Sequence, residues 1–294
     1  MMDNAEPPQL RSALFVPGHR MDLAVKACSS EADALILDLE DSVRDSSRQQ
    51  ARENVQTLIS DPLLHGPRLC VRINALAAGH VVADLAAAVG PGLLAIVVPK
   101  VETADEIESL SQALAKQEQM LDLAPGRVRV WPLIESAAGV LAAASIAASS
   151  SRVAYMGGGT SRGGDLARSL GFRWTPDGME SLYARSKILV DVRAARVPHP
   201  MTGVVTDIRD LDQVRAFATQ SRGLGYEGLM VIHPSHVAIA NQAFGTSAAE
   251  RNEQQAIVEA LDRAADRGDG AVAHDGMMVD AAMRTTAERI LSRK

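Results

Sequence analysis

The residues best placed to do chemistry in this sequence are carboxylates and one guanidinium at the ends of apolar runs. In ALILDLED, strand alternation sets Ala34, Ile36, Asp38 and Glu40 on one face and Leu35, Leu37, Leu39 and Asp41 on the other. A single acid there would cap the next helix or pair with Arg48 or Arg52, but three acids in four positions exceed that need. Arg72 alternates with Val71 and Ile73 in a run too apolar for a surface, so its guanidinium requires an anion. Asp38 or Glu40 would satisfy it, and its rigid fork equally matches a substrate carboxylate, the assignment favoured here.

Glu135 ends WPLIE just before the small-residue stretch SAAGVLAAA, and Asp165 lies in MGGGTSRGGDLARSLG. Either could simply complement the positive end of a helix. Delivered together from neighbouring strand ends, the two carboxylates would suit Mg²⁺, which takes one or two protein carboxylates and fills its shell with water and substrate oxygens. The glycines of that stretch mimic a phosphate loop, but Gly164 and Asp165 stand where Lys and Ser or Thr are required. No dinucleotide fingerprint, zinc-ligand spacing or nucleophile elbow is present.

These residues need elements to hold them. Strands are expected near 12–18, 34–41, 70–75, 93–101, 128–135, 153–158, 203–208 and 228–234, alternating with amphipathic helices. Eight βα units match a closed (β/α)₈ TIM barrel, with a doubly wound open sheet as the competitor. The barrel is favoured because Asp38, Glu40, Asp41, Arg72, Asn74, Lys100, Glu135 and His233 all fall at C-terminal strand ends, which form one rim. Residues 1–245 are assigned to the barrel and 246–294 to a C-terminal helical extension. In that extension helices are expected near 250–266 and 280–292, with DRGDGAVAHDG between them as a flexible linker that lets the last helix pack on a neighbouring subunit.

Composition narrows the function classes. The 294 residues are 47% hydrophobic and 22% charged, enough for a large core and too apolar for disorder. A net charge of -6 without a basic tract argues against a nucleic-acid partner. No uncharged apolar run reaches membrane-spanning length and the first residues lack a signal-like stretch, so a cytoplasmic protein is expected. Cys28 and Cys70 read as reduced core thiols.

The blocks RSALFVPGHRMDLAVKA, ALILDLEDSVRDSSRQQAR, CVRINA, VVPKVETADEI, PLIESAAGV, GGDLARSLG, GLGYEGLMVIHPSH and DGMMVDAAMRTTAERIL resemble, in order and spacing, the citrate lyase beta subunit family. This is the thioester-lyase branch of the HpcH/HpaI aldolases. The resemblance implies a TIM barrel, a homotrimer or other homo-oligomer, Mg²⁺, and an acyl-CoA or acyl-carrier thioester as substrate. It assigns Glu135 and Asp165 to the metal, Arg72 to the substrate carboxylate, and Asp280 to acid–base chemistry in an adjacent subunit's site. Phe15, Lys26 and Arg48 would help shape the thioester and phosphate side of the pocket, and Asp38, Glu40 and Asp41 would orient the metal waters and Arg72. The sequence departs from the family pattern at Arg48, where Lys is usual, and at Leu229 in GYEGL, again in place of Lys. Three functions follow as expectations: a lyase for malyl-, citramalyl- or citryl-type thioesters, a thioester hydrolase or condensing enzyme on the same barrel, and a non-catalytic or partner-dependent subunit.

Overall fold

A computed structural model of the chain describes residues 6–61 and 66–291; the end of the last expected helix, at residue 292, lies outside the described residues. It divides into two compact units, the first ending at Ala243 and the second beginning at Phe244.

The first unit runs β1 (Ser12–Pro17), α1 (Met21–Cys28), β2 (Ala34–Asp38), α2 (Arg48–Ser60), β3 (Arg68–Arg72), α3 (Val81–Ala88), β4 (Leu93–Val98) and α4 (Ala104–Met120). It continues with β5 (Arg129–Ile134), α5 (Ala137–Ala148), β6 (Tyr155–Gly158), α6 (Asp165–Leu170), α7 (Met179–Ala194), β7 (His199–Thr202), α8 (Leu211–Leu224), β8 (Gly228–Val231) and α9 (Val237–Phe244), whose last residue already belongs to the second unit. The eight strands pair in parallel in sequence order, and β8 closes on β1 with Ala13 opposite Met230. This is the (β/α)₈ barrel expected from the rim pattern.

Small and large inward-facing side chains interdigitate to fill the barrel. Ala13, Ala34 and Ala95 leave the volume that Trp131 and Tyr155 occupy, with their rings 5.2 Å apart, and Ile36, Cys70, Val97, Leu133, Met201 and Met230 belong to the same cluster. The same inward parity continues up each strand to the rim: Ala13 to Phe15, Ile36 to Asp38, Cys70 to Arg72, and Leu133 to Glu135. A packed apolar floor therefore aims an aromatic, two acids and an arginine at one mouth.

The strand-to-helix corners are fixed by caps. Ser136 Oγ accepts from Gly139 N–H at 3.0 Å, starting α5 immediately after Glu135, and Thr103 forms a capping box with Glu106 at the start of α4. Gly139 is required there, because a Cβ would come within 2.7 Å of the Val101 carbonyl.

Two expectations about secondary structure are corrected. Strand seven lies at His199–Thr202, not 203–208, which carries no strand. His-Pro reads locally as a turn and the following Val-Val-Thr as a strand, but the barrel uses Pro200 through its carbonyl, which accepts from Glu227 N–H at 2.9 Å, while His199 N–H supplies the neighbouring donor to Ala154. The segment expected to be a flexible linker is ordered as an antiparallel hairpin, β9 (Ala271–His274) with β10 (Met277–Asp280). Its two-residue turn is Asp275-Gly276, both at positive φ (45° and 79°), the backbone that the right-handed strand twist favours.

The second unit, taken by itself, places that hairpin between α10 (Ala248–Ala265) and α11 (Ala281–Leu291), with Ile257, Leu261, Val279 and Ala287 as its core. Cys28 and Cys70 are both free; Cys70 is buried in the barrel cluster, whereas Cys28 is only half-buried, so one of the two is a core thiol. Among the described residues no helix is long and apolar enough to cross a membrane.

Candidate active site

The mouth of the barrel holds a cavity of about 410 Å³ whose walls include Phe15, Asp38, Arg72, Glu135, Gly159 and Asp165. Asp41 also reaches it and is the most exposed of the acids, at 58% of its side chain.

Arg72 and Asp38 are register partners on adjacent strands, so their side chains emerge together. Arg72 Nε and Nη2 donate to Asp38 Oδ1 and Oδ2 at 2.7 and 2.8 Å, a two-toothed pair. The structural partner thus takes the fork that was expected to meet a substrate. The remaining nitrogen, Nη1, lies 3.3 Å from Glu40 Oε2 and 3.8 Å from Asp41 Oδ2, and the guanidinium lies over the Phe15 ring at 4.8 Å. Ser42 Oγ and the N–H groups of Glu40 and Ser42 also donate to Asp38. Burial alone would raise the Asp38 carboxyl, but the Arg72 hydrogen bonds and charge hold it below the ordinary range.

Glu135 stands one residue beyond β5, half-buried, and Lys100 N–H donates to its Oε2 at 3.0 Å. Burial, reinforced by the neighbouring Glu40 charge and opposed by Arg72 and Lys100, pushes its carboxyl up to about 7. A carboxylate so poorly solvated is a group in search of a cation. The backbone of Gly159 packs against it, and a Cβ on that glycine would lie 2.6 Å from Glu135 Oε1. Gly159→Ala is therefore expected to displace the carboxylate and weaken divalent-cation binding at least tenfold, measured by Mn²⁺ titration, while melting changes by no more than a few degrees.

Asp165 opens α6 rather than capping it: Gly164 holds the cap position without a side chain. Its carboxylate meets Arg168 and lies 3.5 Å from Lys100 Nζ. Among the described residues no group of three or more His, Cys, Asp or Glu side chains could hold a metal on its own. Two carboxylates, one of them desolvated, in a cavity with room for further oxygen donors fit a hard ion that keeps water and substrate in its shell.

Glu40 does not line the cavity but meets Arg72 and Lys100 behind its wall. Lys26 is exposed on α1, opposite the buried Ala24 and Ala27, and Arg48 pairs with Asp45; neither lines the cavity. Asp280 belongs to the second unit, where its Oδ1 accepts from Ala282 and Met283 N–H at 3.0 and 3.3 Å and caps α11. Sequence reasoning placed Lys100 on the rim but gave it no role, and passed over Gly159; in the structure both touch Glu135.

The family model HpcH/HpaI aldolase/citrate lyase matches residues 11–234. A citrate lyase subunit beta-like protein of Deinococcus radiodurans is 37% identical over 98% of this chain and 99% of its own length. A (3S)-malyl-CoA thioesterase of Cereibacter sphaeroides is 33% identical over 100% of this chain and 96% of its own. Protein CitE from Mycobacterium tuberculosis, solved in complex with magnesium, acetoacetate and coenzyme A, superposes with a TM-score of 0.74 at 30% identity, covering 98% of both chains. With a barrel closed in the same order and a match spanning all eight strands, the chain belongs to the HpcH/HpaI aldolase/citrate lyase family.

Proposed function

We propose that this chain is a Mg²⁺-dependent carbon–carbon lyase that cleaves a 3-hydroxyacyl thioester of the malyl-, citramalyl- or citryl-CoA type into a keto acid and an acyl thioester. The observation that carries this reading is the convergence of Glu135, Asp165 and Arg72 on one cavity. The magnesium, acetoacetate and coenzyme A held by the M. tuberculosis relative support it.

Glu135 and Asp165 would hold the ion, which when bound supplies Lewis-acid polarisation of the substrate oxygens. Arg72, fixed by Asp38 and lining the cavity, would hold the substrate carboxylate and align the bond to be broken. Phe15 packs under that guanidinium and closes the cavity on its β1 side. Asp41, exposed at the mouth, orders solvent beside Arg72, and Glu40 steadies Arg72 from behind. Asp280 of an adjacent copy in a homo-oligomer would exchange a proton with the substrate hydroxyl or with the departing thioester enolate that must gain one, and Lys26 and Arg48 would face the thioester and phosphate side of a cytoplasmic acyl thioester.

Thioester hydrolysis is the second reading, favoured by the similarity to malyl-CoA thioesterases. Incubation of the full chain with each CoA ester separates the two. Release of keto acid and acyl-CoA, lost at least a hundredfold in EDTA and restored by Mg²⁺, is the expected outcome. Free thiol without keto acid identifies a hydrolase, and turnover that survives EDTA overturns the metal role.

A further inference from the structure

Lys100 is a lysine in a conformation that favours glycine, at φ 56°. It stands just beyond β4, and this backbone geometry serves two purposes at once. The N–H is turned to Glu135 Oε2 at 3.0 Å, and the side chain is sent to the acids delivered by other loops. Its Nζ lies 2.6 Å from Glu40 Oε1, 3.4 Å from Asp41 Oδ1 and 3.5 Å from Asp165 Oδ2. One residue therefore touches both carboxylates assigned to the metal, one through the backbone and one through the ammonium, together with both supporting acids.

We propose that Lys100 is the resident counter-cation of this carboxylate cluster, a positioning residue whose ammonium stands in for the divalent ion at Asp165 and withdraws toward Glu40 and Asp41 when the ion arrives. The inference rests on the assignment of Glu135 and Asp165 to a metal. Four acids converging at one half-buried rim repel one another, and Arg72, committed to Asp38, and the exposed Arg168, paired with Asp165 alone, neutralise only part of that charge. An ammonium on a flexible stem can balance them yet still move, which a buried arginine fork cannot. A divalent ion near Asp165 would repel the ammonium, so the two cations compete. Glu40, already the shortest contact of Nζ at 2.6 Å, would keep the ammonium when the 3.5 Å contact to Asp165 is given up. Lys100 thereby lowers the intrinsic affinity for the ion while keeping the acids in place before it binds.

The test is a Mn²⁺ titration followed by electron paramagnetic resonance on the full chain, comparing wild type with Lys100→Met and Lys100→Gly. Met removes the ammonium, and Gly removes it while accepting the positive φ, so one variant controls for backbone disturbance. Both are expected to bind Mn²⁺ about tenfold more tightly than wild type, and Lys100→Arg to restore weaker binding. In the metal-free protein the melting temperature of Lys100→Met should fall at low salt and recover when Asp165→Asn is added. Unchanged or weaker Mn²⁺ binding in both variants, or no coupling between Lys100 and Asp165 in melting, overturns the proposal. Tighter binding with no thioester turnover by the wild type leaves this inference standing and overturns the lyase reading; turnover with unchanged affinity does the reverse.

Discussion

Glu135→Gln is expected to abolish divalent-cation binding and lower turnover by three orders of magnitude or more, while making the metal-free protein more stable above neutral pH. The substitution keeps the shape of the side chain and the acceptor for Lys100 N–H, so the corner between β5 and α5 is retained. What it removes is a negative charge that the fold holds at a cost. Burial raises the Glu135 carboxyl to about 7 from its ordinary value near 4.5. A carboxyl raised on folding is neutral in both states below the lower value, and its penalty appears as pH climbs between the two and is complete above the higher. Wild type should therefore lose stability relative to Glu135→Gln from pH 5 to pH 8. Every tenfold change in proton affinity corresponds to about 1.4 kcal/mol; solvent reaching Glu135 through the cavity reduces the total to about 1–3 kcal/mol. Thermal unfolding in EDTA at pH 5 and pH 8 measures this. Added Mg²⁺ should then raise the melting temperature of wild type and leave the variant unmoved. A variant less stable than wild type at pH 8, or one that still responds to Mg²⁺, would show that Glu135 is a packing residue rather than a ligand.

The barrel was legible because polar residues interrupt apolar runs at the same end of strand after strand, a regularity an open sheet does not require. Inward parity was legible in ALILD, where Ala34 and Ile36 do enter the barrel cluster and Asp38 follows them to the rim. Strand seven was not, because its residues have weak strand propensity and are held by their neighbours: the pairing of Met156 with Pro200 is tertiary information. The hairpin was legible and misread. Asp275-Gly276 between AVAH and MMVD is a strong two-residue turn signal, but the glycines before it suggested a linker. At the site, types and positions could be read but partnerships could not. Whether Arg72 meets Asp38 or a ligand depends on the register of β2 against β3, and whether Lys100 points outward or across the rim depends on one positive φ.

Arg72→Ala should damage the fold and the reaction together, and the two losses can be pulled apart. Arg72 is 12% and Asp38 2% exposed at the side chain, so truncating the arginine strands a buried carboxylate. Removing one partner of such a pair costs about 3–5 kcal/mol in general. Here the three remaining hydrogen bonds to Asp38, from Ser42 Oγ at 2.6 Å, Ser42 N–H at 3.0 Å and Glu40 N–H at 3.1 Å, soften the cost to about 2–4 kcal/mol. For a chain of this size that is a fall in melting temperature of roughly 5–15 °C. The sign with pH is opposite to that of Glu135. A carboxyl held below its ordinary value contributes stability above that value and loses it as pH falls through the folded one, so the gap between wild type and Arg72→Ala should narrow below about pH 4. Adding Asp38→Asn to Arg72→Ala removes the stranded charge and should recover most of the melting temperature. It should not recover turnover, which is expected to stay at least a thousandfold down at a temperature where both proteins are folded. The charge proposed to align the substrate carboxylate is still missing. Arg72→Lys, which restores a charge without the fork, should recover only part of either property. If the double variant regained activity along with stability, Arg72 would be no more than the partner of Asp38, and the carboxylate of the substrate would have to be held elsewhere on the rim.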